Sequence, residues 1–331
     1  MDLDKLFTIT EYDAFVVTIP SHRENGWVSR TLTTNTGAPS PLKNADGNDP
    51  NILSCSASAI IIGGQSNEQK GEEDDKEPLQ PSTITVAIKY STAASTDYDL
   101  TGQILWPVSM LLGHYVASGL GQGVVKGSNV VELGAGCGFP GLVAAHFADR
   151  VVLTDGNDVV MDLLRQNAYS STHSITNPAG IVTASKFLWG QQADLTRILE
   201  DMNGHVDVVI AADVVQWPEV VEPLLHTVKA LLWTSRLSRP IFLLGIVNRA
   251  QMTYDLFFTL SDKLGFSCQR MSPDVFLKDG LIPKSCQEFG GRSTEIFEVE
   301  LMDRSVPPVL LDQNQDRTLG HSFENTPFLP C

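Results

Sequence analysis

The chain has 331 residues, 42% of them hydrophobic, which is ample for one sizeable core or one large domain with appendages. Its 23 Lys and Arg stand against 39 Asp and Glu, giving a formal net charge of −16. Such a surface repels a phosphate backbone, no Lys/Arg run outvotes it, and nucleic acid is disfavoured as a partner; a basic protein or peptide is attracted, unless the acidity serves solubility alone.

In chain order, Glu11 to Ile19 carries Tyr12, Phe15, Val16, Val17 and Ile19 and predicts a strand. From about residue 35 to 81 the sequence turns to Ser, Asn, Gly, Pro and acids, including the run from Glu68 to Glu77. Such a stretch cannot bury enough apolar surface to offset its ordering entropy and is expected to be a disordered insertion, apart from a short strand at Ala59 to Ile62. From Thr83 the residues Ile84, Val86 and Ile88 alternate with polar or small ones, the period of a half-buried strand. A helix is expected from Pro107, with Val108, Leu111, Leu112, Tyr115 and Val116 on one face.

Units of strand, turn and helix follow. Strands are expected at Asn129 to Leu133, Arg150 to Thr154 ending at Asp155, Ile181 to Phe187, Val206 to Ala211, and Ile241 to Val247. Helices are expected at Leu142 to Phe147, Val159 to Ala168, Pro218 to Trp233, and from past Val247 through Lys263. Phe266 to Met271 and Glu295 to Met302 read as two closing strands, and a loose tail begins near Val306. Strands alternating with helices imply an α/β, doubly wound, mostly parallel sheet.

Five cysteines at wide spacing, with no CxxC pair, argue against a disulfide framework or a zinc site, and no His/Asp/Glu cluster has ligand spacing. His114 and His146 fall in predicted helices and read as structural or surface residues. The opening residues lack a basic region followed by an apolar core, and the longest apolar runs are too short to span a bilayer. The expected compartment is therefore the cytoplasm or the nucleus, with no membrane partner.

The sharpest local signal runs from Val130 to Gly141, VVELGAGCGFPG. Glycines there permit a tight strand-to-helix turn and close approach of a ligand to backbone N–H groups. Gly136, Gly138 and Gly141 spell the dinucleotide pattern GxGxxG, while Gly134, Gly136 and Gly138 spell GxGxG after Glu132-Leu133. The dinucleotide loop needs its first glycine at the strand end, where Gly134 stands, and Pro140 would intrude at its helix opening. Asp155, ending the next strand, suits ribose hydroxyls in either fold, or caps the following helix.

Several blocks in order, over roughly Thr83 to Met302, resemble the family-16 seven-β-strand methyltransferases, a group that includes many protein-lysine methyltransferases. They are Gly102-Gln103-Ile104-Leu105-Trp106-Pro107, Glu132 to Gly138, Leu153-Thr154-Asp155, Leu188-Trp189-Gly190, Ala211-Ala212-Asp213-Val214-Val215, Asn248-Arg249, Phe257 and Leu264-Gly265-Phe266. Thr154-Asp155-Gly156-Asn157 is similar to the calmodulin-lysine branch, too short a match to assign a substrate.

The resemblance implies S-adenosyl-L-methionine as cofactor and a Rossmann-like sheet with an N-terminal β-containing extension. The extension would be residues 1–82, the methyltransferase domain 83–303, and a flexible tail 304–331. It assigns Trp106 to the methionine side of the pocket, facing the sulfonium. Glu132, Gly134, Gly136 and Gly138 belong to the loop that wraps methionine and ribose, Asp155 to the ribose hydroxyls, Trp189 to adenine, and Ala212 to the cofactor near the fourth strand. Asp213 is the catalytic acid that orients a lysine ammonium. Members acting on lysine carry an aromatic three residues after that acid; here Gln216 holds the place and Trp217 is next, so both are candidate substrate-binding residues. The implied activity is N-methylation of a lysine in a protein substrate by a monomer without metal. Another protein residue, a small-molecule amine, or a non-catalytic cofactor-binding scaffold stay open because of Gln216.

Overall fold

The computed structural model describes residues 11–19, 33–34, 82–91, 98–173, 180–277, 280–288 and 291–308. The expected insertion between 35 and 81, its strand at 59–62, the acidic run and most of the tail lie outside them.

Strand β1 (Glu11–Ile19) pairs antiparallel with β2 (Thr33–Thr34) and, along its whole length, with β3 (Ser82–Tyr90), forming a three-stranded sheet in the order β2-β1-β3. Val86 and Ile88 of β3 are buried in the main core, as their alternation predicts.

The second sheet holds β4 (Asn129–Leu133), β5 (Arg150–Asp155), β6 (Ile181–Lys186), β7 (Val208–Ala212), β8 (Ile241–Val247), β9 (Phe266–Met271) and β10 (Thr294–Leu301). Their order is β6-β5-β4-β7-β8-β10-β9, parallel from β6 through β8, with β10 antiparallel to both β8 and β9. Strands β4 and β8 are buried at every residue; β8 is a continuous apolar run, as a strand covered on both faces tends to be, while β4 also buries Asn129 and Glu132. The edge strand β6 exposes its first and third residues. The chain steps outward from β4 to β6 and then returns to β7 on the other side of β4. The reversal opens a crevice at the carboxyl ends of β4 and β7, where doubly wound sheets bind ligands.

Helices α1 (Pro107–Ala117), α2 (Gly119–Val125), α3 (Phe139–Ala144) and α4 (Asp158–His173) belong to the face that packs with Val86 and Ile88. Helices α5 (Gln192–Asp201), α6 (Pro218–Trp233) and α7 (Gln251–Lys263) cover the other. Ser118 starts α2 by accepting from the Gly121 N–H at 3.1 Å. Glu298, buried in β10, is held by the Tyr115 hydroxyl of α1 and by Arg239 at 2.9 Å.

Three expectations need correcting. The helix after the glycine loop begins at Phe139, not Leu142, and ends at Ala144. Pro140 therefore sits in its first turn, where a missing N–H costs nothing, and does not intrude. The strand expected from Val206 begins at Val208; the Asp207 N–H already bonds the Asn129 carbonyl at 2.9 Å as the chain enters the sheet.

Candidate cofactor and acceptor site

A cavity of about 830 Å³ opens at the crevice between β4 and β7. Its wall brings together Trp106, Glu132, Gly134, Gly136, Asp155, Trp189, Ala212, Asp213, Gln216 and Trp217. Gly138 is not on this wall: it starts α3 at φ +84°, with the Leu153 and Leu164 side chains where a Cβ would go. Its task is the turn and its packing.

Two glycines explain the loop. Gly134 has φ +58°, and a Cβ there would meet Val214 Cγ1 at 2.8 Å and Trp189 at 3.2 Å. Gly136 has φ +54°, with the Gly102 carbonyl oxygen 2.8 Å from its would-be Cβ. Side chains at either position would be strained and would fill the cradle.

Asp155 ties the loop to β5. Its Oδ2 accepts from the Gly136 N–H at 3.0 Å and its Oδ1 from the Asn157 N–H at 2.9 Å. Burial pushes its carboxyl above the usual range, against the pull of those backbone donors. It is not the cap of α4; Asn157 accepts from the Val159 N–H at 2.8 Å instead. With the Gly156 N–H as a third backbone donor, three of its roughly four lone-pair sites are taken, which leaves acceptor capacity for a donor in the cavity.

Glu132 is 1% exposed and accepts from the Gly141 N–H at 2.9 Å. Burial pushes its carboxyl up to about 8; the Gly141 bond opposes this and the nearby Asp155 adds to it. Burial also raises the Cys137 thiol far above its ordinary value, so it stays protonated and unreactive.

Asp213 follows β7 at φ +56°, an uncommon backbone state that Asp tolerates better than most residues. Its N–H bonds the Gly245 carbonyl at 2.9 Å, and its own carbonyl accepts from Gln216 Nε2 at 2.9 Å. Gln216 thus braces the acid's loop. Trp217, 44% exposed at the start of α6, supplies an aromatic ring to the wall from the next position.

The Asp213 carboxylate is already engaged. Arg249 Nε lies 3.2 Å from its Oδ1 and Nη2 2.5 Å from its Oδ2. The same guanidinium is 5.3 Å from the Trp106 ring centre, and its Nη1 is 3.5 Å from Glu288 Oε1. Trp106 donates its indole N–H to the Thr101 carbonyl at 3.0 Å. The sequence marks Arg249 only as part of a recurring block, and nothing local to Glu288 singles it out. Among the described residues no group of three or more His, Cys, Asp or Glu could hold a metal ion, and no helix is long and apolar enough to cross a membrane.

Residues 90–262, just over half of the chain, match the family model described as lysine methyltransferase. The calmodulin-lysine N-methyltransferase of Arabidopsis thaliana is 31% identical over 147 residues, 44% of this chain and 45% of that protein. The protein N-lysine methyltransferase METTL21A of Danio rerio is 30% identical over 128 residues, 39% of this chain and 54% of that one. Magnesium protoporphyrin IX methyltransferase of Synechocystis, solved with bound S-adenosylmethionine, aligns at TM-score 0.40 and 16% identity over 62% of this chain and 85% of that one. The chain spans about half the length of the curated relatives it matches. By the family model, it belongs to the lysine methyltransferase family.

Proposed function

We propose that the chain is an S-adenosylmethionine-dependent methyltransferase acting on a lysine side chain of a protein. The observation that carries this reading is one cavity walled at once by the left-handed glycine loop, by Asp155, and by Asp213.

The residues present fit the cofactor. At Gly134 and Gly136 a Cβ would run into Val214, Trp189 and the Gly102 carbonyl, so the loop can turn this closely along the cavity wall only as glycine. Asp155 would accept hydrogen bonds from ribose hydroxyls, with its orientation fixed by two backbone N–H groups. Trp189, against the loop at Gly134, would pack on the adenine ring. Bound S-adenosylmethionine supplies an electrophilic methyl group on a sulfonium.

The chain's own task is positioning. Trp106 and Trp217 would bound the acceptor channel, and Asp213 would orient the incoming nitrogen through lone pairs that Arg249 leaves open. A free lysine has a pKa of about 10.4, so its amine must lose a proton to water before it can attack. The chain's net charge of −16 favours a basic acceptor segment.

Gln216 favours one second reading. Its amide is tied to the Asp213 carbonyl where the lysine pattern has an aromatic ring, which suits a different nitrogen, on another protein residue or a small molecule. Tritium from methyl-labelled cofactor separates these outcomes. Label in proteins, recovered as methyl-lysine after hydrolysis, supports lysine transfer. Label in small solutes or another residue supports the second, and neither refutes both.

A further inference from the structure

We propose that Arg249 is a positioning residue that lowers the proton affinity of the acceptor amine through Asp213, and that Glu288 holds Arg249 in that place. The proposal rests on the lysine-methyltransferase reading and deepens it.

Arg249 stands two residues beyond β8 and is not part of the cavity wall, whereas Asp213 and Trp106 are. Its guanidinium lies behind both, bonded to the two oxygens of Asp213 and set against the Trp106 ring. Glu288 approaches Arg249 at 3.5 Å with one oxygen, and among the described residues its buried Oε2 has no hydrogen-bond partner. A buried carboxylate with an unanswered oxygen holds tightly to a cation it touches. The side chains of Asp213, Glu288 and Arg249 are 3%, 2% and 22% exposed, so solvent screens the cluster little. Its formal charge is −1.

This arrangement resolves a chemical conflict. A bare carboxylate beside a lysine would bind the ammonium form and raise its pKa by about 1–3 units. That helps capture and hinders attack, because only the neutral amine carries a free electron pair on nitrogen. A guanidinium on the far side of the same carboxylate opposes the rise while leaving an oxygen to orient the nitrogen. The proton leaves to water, and the amine keeps the electron pair that forms the new N–C bond.

The other ionisable groups on the cavity wall are Glu132 and Cys137 from β4 and its loop, Asp155 at the end of β5, Asp158 of α4 and Glu219 of α6. Burial favours the protonated forms of Glu132 and Cys137. Glu295 on β10 is already paired with Arg270 at 2.7 Å. Asp213 is the carboxylate that Arg249 engages on both oxygens.

The test uses the full chain, methyl-tritiated S-adenosylmethionine, and the acceptor protein that the wild-type chain labels in a methylation-depleted extract, purified from it. Arg249→Met is expected to move the alkaline rise of kcat up by about one pH unit, lowering kcat about tenfold at pH 7.5, with recovery at higher pH and a lower KM for the acceptor. Arg249→Lys, which keeps the charge but not the two-pronged contact, should show a smaller shift in the same direction as Arg249→Met. Glu288→Gln keeps a side-chain oxygen that can accept from Arg249, and so keeps the guanidinium seated on Asp213, but removes a negative charge; it should act with the opposite sign, moving the rise to lower pH and raising KM. S-adenosylhomocysteine affinity, read by calorimetry, should be unchanged in all three. A pH-independent loss in Arg249→Met, or shifts of the same sign in Arg249→Met and Glu288→Gln, would overturn the proposal. A wild-type chain that labels no protein would overturn the underlying reading, and this refinement with it.

Discussion

Replacing Glu132 by Gln should remove a pH dependence from the stability of the protein. Burial, opposed by the Gly141 N–H and helped by Asp155, holds this carboxyl at about 8 in the folded chain, against an ordinary value of 4.5. Between those values the folded state binds more protons than the unfolded state. Stability is therefore greatest at low pH within the window, falls as pH rises toward 8, and is flat above it. The slope approaches about 1.4 kcal/mol per pH unit, so the Glu132 contribution between pH 6 and pH 8 is roughly 2 kcal/mol. Gln keeps the shape and the acceptor for Gly141 but cannot ionise. Urea unfolding of both chains at pH 6, 7 and 8 checks this. The wild type should lose stability across the series and Glu132→Gln should lose markedly less. Equal slopes in the two chains would refute the account of a neutral, buried Glu132 beside the glycine loop.

Two further substitutions probe the site's geometry. Gly136→Ala places a Cβ 2.8 Å from the Gly102 carbonyl oxygen at φ +54°, a conformation costing an L-residue about 1–2 kcal/mol; calorimetry should show S-adenosylhomocysteine binding weakened by about tenfold or more while circular dichroism stays native. Gln216→Ala removes the bond to the Asp213 carbonyl, worth about 1 kcal/mol, and should lower kcat several-fold in the labelling assay with cofactor affinity intact.

Strands buried on both faces were legible as continuous apolar runs, as in IFLLGIV of β8, buried at all seven positions. The 16-residue helix α6 was legible to the residue, since Val221, Leu224, Leu225, Val228, Leu231 and Leu232 make one apolar stripe. Helix α2 escaped because GLGQGVV carries three glycines and takes its stability from the Ser118 cap and packing, not from propensity. Helix α5 buries only Leu195 and Ile198, too narrow a stripe to stand out. The loop correction has a similar cause: glycine spacing marks the turn but not the residue at which α3 begins.

The cofactor side of the site was legible for a related reason. Its determinants are local, a glycine loop at one strand end and an acid at the next. The acceptor side was only half legible. Asp213 and Gln216 could be marked only through the family resemblance, and beyond them the Arg249 pair spans 36 residues and Glu288 comes from an irregular segment before β10. No periodicity records a contact between the ends of separate strands. The unusual φ of Asp213 is likewise a product of tertiary packing, and such backbone states gather at functional sites.

The most direct test of the central claim is calorimetric titration of the full chain with S-adenosylhomocysteine, run beside NADH and with Asp155→Ala as control. The account predicts micromolar binding of S-adenosylhomocysteine, weakened at least about tenfold in the variant, a loss of 1.4 kcal/mol or more, and no comparable heat with NADH. No binding of S-adenosylhomocysteine, or preference for NADH, would contradict it and return the glycine loop to a dinucleotide or purely structural role.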